Sequence, residues 1–116
     1  MPRHVRDLRD VYDFLDEIRL RPGMWVRGSS LQHLDSMLLG YRVAAEIHGT
    51  QDGAEFAHTG AFSTWLWQRF NFTSSPLGWA VEIERAAERE GRPPMELFFD
   101  LLDAFRAERD QTEPVR

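Results

Sequence analysis

The 116-residue chain contains no cysteine and no lysine. Without cysteine it has no disulfide, no thiolate metal site and no cysteine nucleophile. Without lysine it has no Schiff-base chemistry and no lysine for a phosphate-binding loop. All fourteen basic residues are therefore arginine, as expected of a G+C-rich genome that spells cations with arginine codons. No apolar run approaches the ~20 residues of a membrane span, so an integral membrane protein is excluded. MPRHVRDLRD at the N-terminus lacks the apolar stretch of a secretory signal, and the expected location is cytoplasmic. Neither a G-x-S-x-G elbow nor a G-x-G-x-x-G or G-x-x-x-x-G-K-[ST] loop is present. Nineteen carboxylates against fourteen arginines give a net charge of −5. That balance argues against nonspecific nucleic-acid binding, which needs clustered cations to neutralise phosphates.

The residues that are present form one expected domain, 1–116, of the size that holds a core without a staple. The pattern is helical throughout, and no segment alternates as a half-buried strand does. The first helix is expected from about Val5 to Arg19, with Leu8, Val11, Tyr12, Leu15 and Ile18 on one side and Asp10, Asp13 and Glu17 on the other. Pro22 ends it, and Leu20 to Gly28 is expected as a loop. Ser29 to His48 is the second helix, capped by Ser29 with Gln32 and stopped by Gly49. It carries two apolar stripes, Leu31-Leu34-Leu38-Tyr41-Ala45 and Leu39-Val43-Ile47, which predict a central helix packed on two sides. Asp35, Arg42 and Glu46 form its expected wet sector, the last two as an i,i+4 ion pair.

After a polar connection from Gly49 to Gly60, a short aromatic helix is expected from Ala61 to Phe70. A fourth runs from Pro76 to about Glu90, with Ser75 as cap, burying Trp79, Ala80, Ile83 and Ala87 before Gly91. A fifth runs from Pro94 to about Arg109, with Met95, Phe98, Leu102 and Phe105 inward and residues 110–116 as a frayed tail. The prediction is an all-α bundle of about five helices.

Chemistry-bearing residues are few. Glu55 and His58 have the E-x-x-H spacing of di-metal bundles, but the second pair and the further glutamates that such sites need are missing. No metal, cofactor or catalytic residue is expected. Glu96, Asp100, Asp103 and Asp110 form an acidic stripe on the fifth helix, which is a solvated face or a surface for a basic partner. Arg19, Arg21 and Arg27 form a basic rim beside Trp25 in the LRPGMWVRG loop, and arginine and tryptophan dominate binding hot spots. Trp67 lies about 120° around the helix from the Phe62–Leu66–Phe70 face, a position that either packs under a neighbouring loop or marks an interface.

Five segments together resemble a family of small, largely uncharacterised bacterial proteins. They are Phe14-Leu15-Asp16-Glu17-Ile18-Arg19 through Trp25, Ser30-Leu31 through Gly40-Tyr41, Phe62 through Asn71, Thr73-Ser74-Ser75 through Trp79-Ala80, and Phe98 through Phe105. In the family pattern, an N-terminal RPGM[YW] loop and a C-terminal FFxLLDxF helix bracket the chain. Trp25 stands where tyrosine is more usual, and Leu77-Gly78 replaces a more polar pair. The resemblance implies an all-α accessory protein, with some members at toxin–immunity loci, and transfers no catalytic residue. The expectation is a non-enzymatic protein-binding module, most concretely an immunity-type inhibitor of a cognate toxin encoded by an adjacent gene. Its expected contacts are Glu96, Asp100 and Asp103 with Trp67, Trp25, Arg21 and Arg27. The alternatives are a self-associating subunit or adaptor of a bacterial assembly, or a small-molecule-binding bundle that uses the RPGMW loop. Either a monomer or a homodimer fits, with no nucleic acid and no membrane as partner.

Overall fold

In the computed structural model, which describes residues 4–112 (Thr112 by its backbone alone), Asp10 rather than Val5 starts the first long helix. Its carboxylate accepts the backbone N–H of Asp13 at 2.9 Å and opens α1 (Val11–Leu20). Val5–Asp7 is a separate 3-10 turn, so the helix expected from Val5 is shorter than its apolar pattern. A residue that satisfies an orphan N–H fixes a helix start more firmly than periodicity does. The expected Leu20–Gly28 loop contains a one-turn helix, α2 (Pro22–Trp25), with Pro22 at its first position, and a 3-10 turn at Arg27–Ser29.

Ser30, not Ser29, caps α3 (Leu31–Ile47): its Oγ accepts the N–H of His33 at 3.3 Å. Ser29 has a φ of +51°, outside the extended conformation that an N-cap requires. A 3-10 turn at Ala54–Phe56 precedes α4 (Ala61–Phe70), whose bounds are those expected. α5 (Trp79–Glu90) starts three residues later than expected, and α6 (Pro94–Thr112) continues past Asp110, where fraying was expected. Residues 113–116 of that expected tail lie outside the described residues.

Three helices end alike, on a left-handed residue: Gly49 after α3, Asn71 after α4 and Gly91 after α5. In each, the residue after it returns its N–H to a carbonyl five positions back, as in Thr50 to Ala45, Phe72 to Trp67 and Arg92 to Ala87. This is the Schellman arrangement, which satisfies carbonyls the helix leaves open. Among the described residues the fold is all-helical, with five helices of ten residues or more and no strand.

An aromatic cluster forms the centre of the core. The Phe62 ring lies 5.3 to 5.9 Å from those of Phe105, Phe56, Trp79 and Phe98, and Trp79 stacks on Phe98 at 5.1 Å. Trp79 Nε1 donates to the Phe56 carbonyl at 3.1 Å, so its polar edge is satisfied inside the bundle. The inward residues expected of α5 and α6 are all buried.

α3 differs from expectation. Leu31, Leu34 and Leu38 are buried, but Leu39, Val43 and Ile47 face outward, so the second of its two expected stripes is not covered. α6 has the widest buried arc, adding Leu97, Phe99 and Leu101 to its four expected core positions. The expected Arg42–Glu46 ion pair is not formed, and Arg42 Nη1 is buried without a hydrogen-bond partner. Asp13 and Glu17, expected on a wet face, are buried; Asp13 accepts from the backbone and side chain of Arg9 at 2.9 and 3.2 Å.

The polar connection before α4 acts as a strap. Asp52 accepts the N–H of Val11 and the hydroxyl of Tyr41, while Glu55 accepts the hydroxyl of Tyr12 at 2.6 Å and pairs with Arg109 at 3.2 Å. Two carboxylates in a turn-rich segment thereby join α1, α3 and α6.

Candidate functional site

Gly91 and Pro94 set the geometry of the site. The left-handed Gly91 stops α5, and Pro94 at the first helical position restarts the chain as α6 within a few residues. This turn places Arg92 over the first two turns of α6. Its guanidinium donates to Glu96 at 2.8 Å, bonds Asp100, and lies 3.9 Å from Glu90. The bonds to Asp100 and then Glu96 hold the Arg92 guanidinium above its already high ordinary pKa.

The second arginine comes from the far end of the sequence. Arg19, in the last turn of α1, reaches α6, where Nη1 donates to both carboxylate oxygens of Asp103 at 2.9 Å. Its other nitrogen is 3.9 Å from Asp100, and the guanidinium lies over the Phe99 ring at 5.3 Å from the centroid. Asp100 thus faces both arginines. Four carboxylates (Glu90, Glu96, Asp100, Asp103) share two guanidiniums, which leaves this lattice at a net −2.

Beside the lattice lies a cleft of about 410 Å³. It is lined by Arg19 of α1, Pro22 of the RPGMW segment, Ser29 of the 3-10 turn that follows, and Pro93, Met95, Glu96, Phe99 and Asp100 at the start of α6. Apolar side chains line it and charged ones rim it, the pattern of a pocket that accepts a protruding side chain.

Two features singled out separately in the sequence are therefore brought together: Arg19 with the segment that follows it, and the acidic stripe of α6. Arg21 and Arg27 are exposed on that loop. Trp25 is half-buried, edge-on to Phe14 at 5.5 Å, and Phe14 stacks on Tyr41, so Trp25 anchors the loop to the bundle. Trp67 does not join the site. It is 8% exposed, packs beside Phe72, and lines a separate groove with His58, Gln68 and Ser75. Its off-face position packs against the segment after α4, one of the two arrangements expected of it. Glu55 bonds Tyr12 and Arg109, and no group of three or more histidine or carboxylate side chains with metal-binding geometry occurs among the described residues.

Arg92 is the organising residue that sequence inspection missed. Its i,i+4 spacing to Glu96 was a legible signal, although the preceding glycine and following prolines made the segment look like a plain connection. No protein-family model, no curated protein and no solved structure matches this chain.

Proposed function

We propose that the chain is a non-enzymatic protein-binding module, an immunity-type inhibitor that covers the active site of a cognate bacterial toxin. The observation that carries this reading is the acidic lattice at the mouth of an apolar cleft. A partner's basic side chain lays its aliphatic stem along Met95, Phe99 and Pro22 and brings its cation to Asp100 and Glu96. Because the carboxylates are already held by Arg19 and Arg92, they are preorganised, and an incoming cation is added to a lattice that still has negative charge to spare. Expected partners are cationic, and association slows as salt rises.

The test is co-purification of the tagged chain with the products of adjacent genes, followed by the double reversal Asp100→Arg with Asp103→Arg. A stoichiometric partner that is toxic alone and silenced by this chain supports the reading. The double variant is expected to remain folded, since exposed ion pairs contribute about 0–1 kcal/mol each, and to lose about 100-fold in affinity. An unchanged affinity for the partner removes the lattice as the contact.

A further inference from the structure

The outward side of α3 is unusual for a surface helix in a chain that is 28% charged. Leu39, Val43 and Ile47 are 54%, 50% and 74% exposed and follow one another at four-residue spacing. Alongside them run Ser36, Gly40 and Ala44, also exposed and also four apart. A Cβ on Gly40 would meet nothing within 4 Å, so among the described residues none packs over that position. A row of small residues beside a row of branched apolar ones lets a second helix approach closely and still bury apolar surface.

We propose that this face binds a second copy of the same chain, as an antiparallel α3–α3′ pair with its two-fold axis at Val43. Self-complementarity selects this occupant. A two-fold axis at Val43 sets Val43 against its own mate and Leu39 against Ile47′, so every large residue of the stripe meets another. The charges at the edge agree with the same register. Arg42 and Glu46 lie on one flank of the stripe, and a two-fold antiparallel pair brings like flanks together. Arg42 then stands beside Glu46′, offset by two residues or about 3 Å along the axis. Within the single chain these two do not pair, and Glu46 is exposed at that edge.

The area sets the strength. One face of a 17-residue helix is about 25 Å long and falls short of the ~800 Å² per partner of a standard interface. Dissociation is accordingly expected in the micromolar range, so mass depends on concentration.

Sedimentation equilibrium from about 1 µM to about 1 mM is expected to show a rise from 13.6 kDa toward twice that mass. Val43→Arg, at a half-exposed position, is expected to keep the circular dichroism spectrum and abolish the rise. The absence of native cysteine permits a register test. Val43→Cys sits on the axis and is expected to oxidise to a disulfide-linked dimer. Leu39→Cys is about 12 Å from its mate along the axis, beyond the ~7 Å limit of a disulfide, and is expected not to cross-link.

A chain that stays at 13.6 kDa throughout overturns the proposal and leaves the face to a different protein. A dimer unaffected by Val43→Arg overturns α3 as the interface, and equal cross-linking at both positions overturns the antiparallel register. This inference stands or falls apart from the inhibitor reading: Val43 variants are read by mass, Asp100 and Asp103 variants by silencing of the partner.

Discussion

Ser75→Ala tests how a buried carboxylate is held. Glu82, on α5, is 5% exposed, and its Oε2 accepts the Ser75 hydroxyl at 2.6 Å. Its other oxygen is 3.7 Å from an Arg85 guanidinium that is largely in solvent. The serine hydroxyl also accepts the N–H of Leu77 at 3.2 Å, so one side chain ties the turn before α5 to that helix. A hydrogen bond to a charged group is worth about 1.5–3 kcal/mol, and a buried charge left without its donor retains the desolvation cost. The Leu77 N–H adds a few tenths at most, because water reaches that turn. Ser75→Ala is therefore expected to cost about 2–3 kcal/mol, a shift of about 8–12 °C in Tm at roughly 4 °C per kcal/mol. The size of this effect distinguishes it from loss of a helix cap, which typically costs about 1 kcal/mol. The asymmetry between losing one partner and losing both gives a sharper check. Ser75→Ala combined with Glu82→Met removes both polar groups, and the pair is expected to cost less than Ser75→Ala alone. Urea unfolding of the three variants measures both quantities. A Ser75→Ala cost below about 0.5 kcal/mol, or a double variant worse than the single one, would refute the reasoning.

Two further outcomes follow from the same structure. A Cβ on Gly60 would lie 2.5 Å from the Glu55 carbonyl oxygen, a backbone atom that no rotamer change can move, so Gly60→Ala is expected to lower stability by about 1–3 kcal/mol in thermal unfolding. Burial, and then hydrogen bonds to Glu55 and Asp52, raise the pKa values of Tyr12 and Tyr41 above the ordinary 10.0. The folded state then holds protons that the unfolded state releases, so stability is retained below pH 10 and lost as pH rises beyond it. These are the two tyrosines of the chain, and tyrosinate absorbance is expected to appear only together with unfolding; titration at pH 10 with the fold intact would contradict the burial argument.

Local physics made most of the helices legible. The turn signals around Ala61–Phe70, the terminators Gly49 and Gly91, and the apolar period of α5 depend on neighbours within a turn or two, and the structure reproduces them. The misplaced starts have local causes too, but the candidates competed closely: two adjacent serines before α3, and a serine before α5 whose hydroxyl went to a carboxylate seven residues away. The candidate site was legible in parts. The acidic stripe of α6 and the arginines of the loop stood out as residue types, and their spacing placed each on its own element.

What the sequence by itself determined is therefore helix content, most helix ends and the identity of the apolar residues, because capping and 3.6-residue periodicity act over a few positions. What only the tertiary structure decided is which apolar residues are covered. Leu39, Val43 and Ile47 are as apolar as Leu31, Leu34 and Leu38, but only the second set has helices packed over it, while α6 gains neighbours around most of its circumference. Tertiary structure also decided the site, since Arg19 and Asp103 are 84 positions apart and meet only when α1 and α6 pack together. Periodicity records the character of a helix face, whereas its partner depends on long-range packing that no local pattern contains.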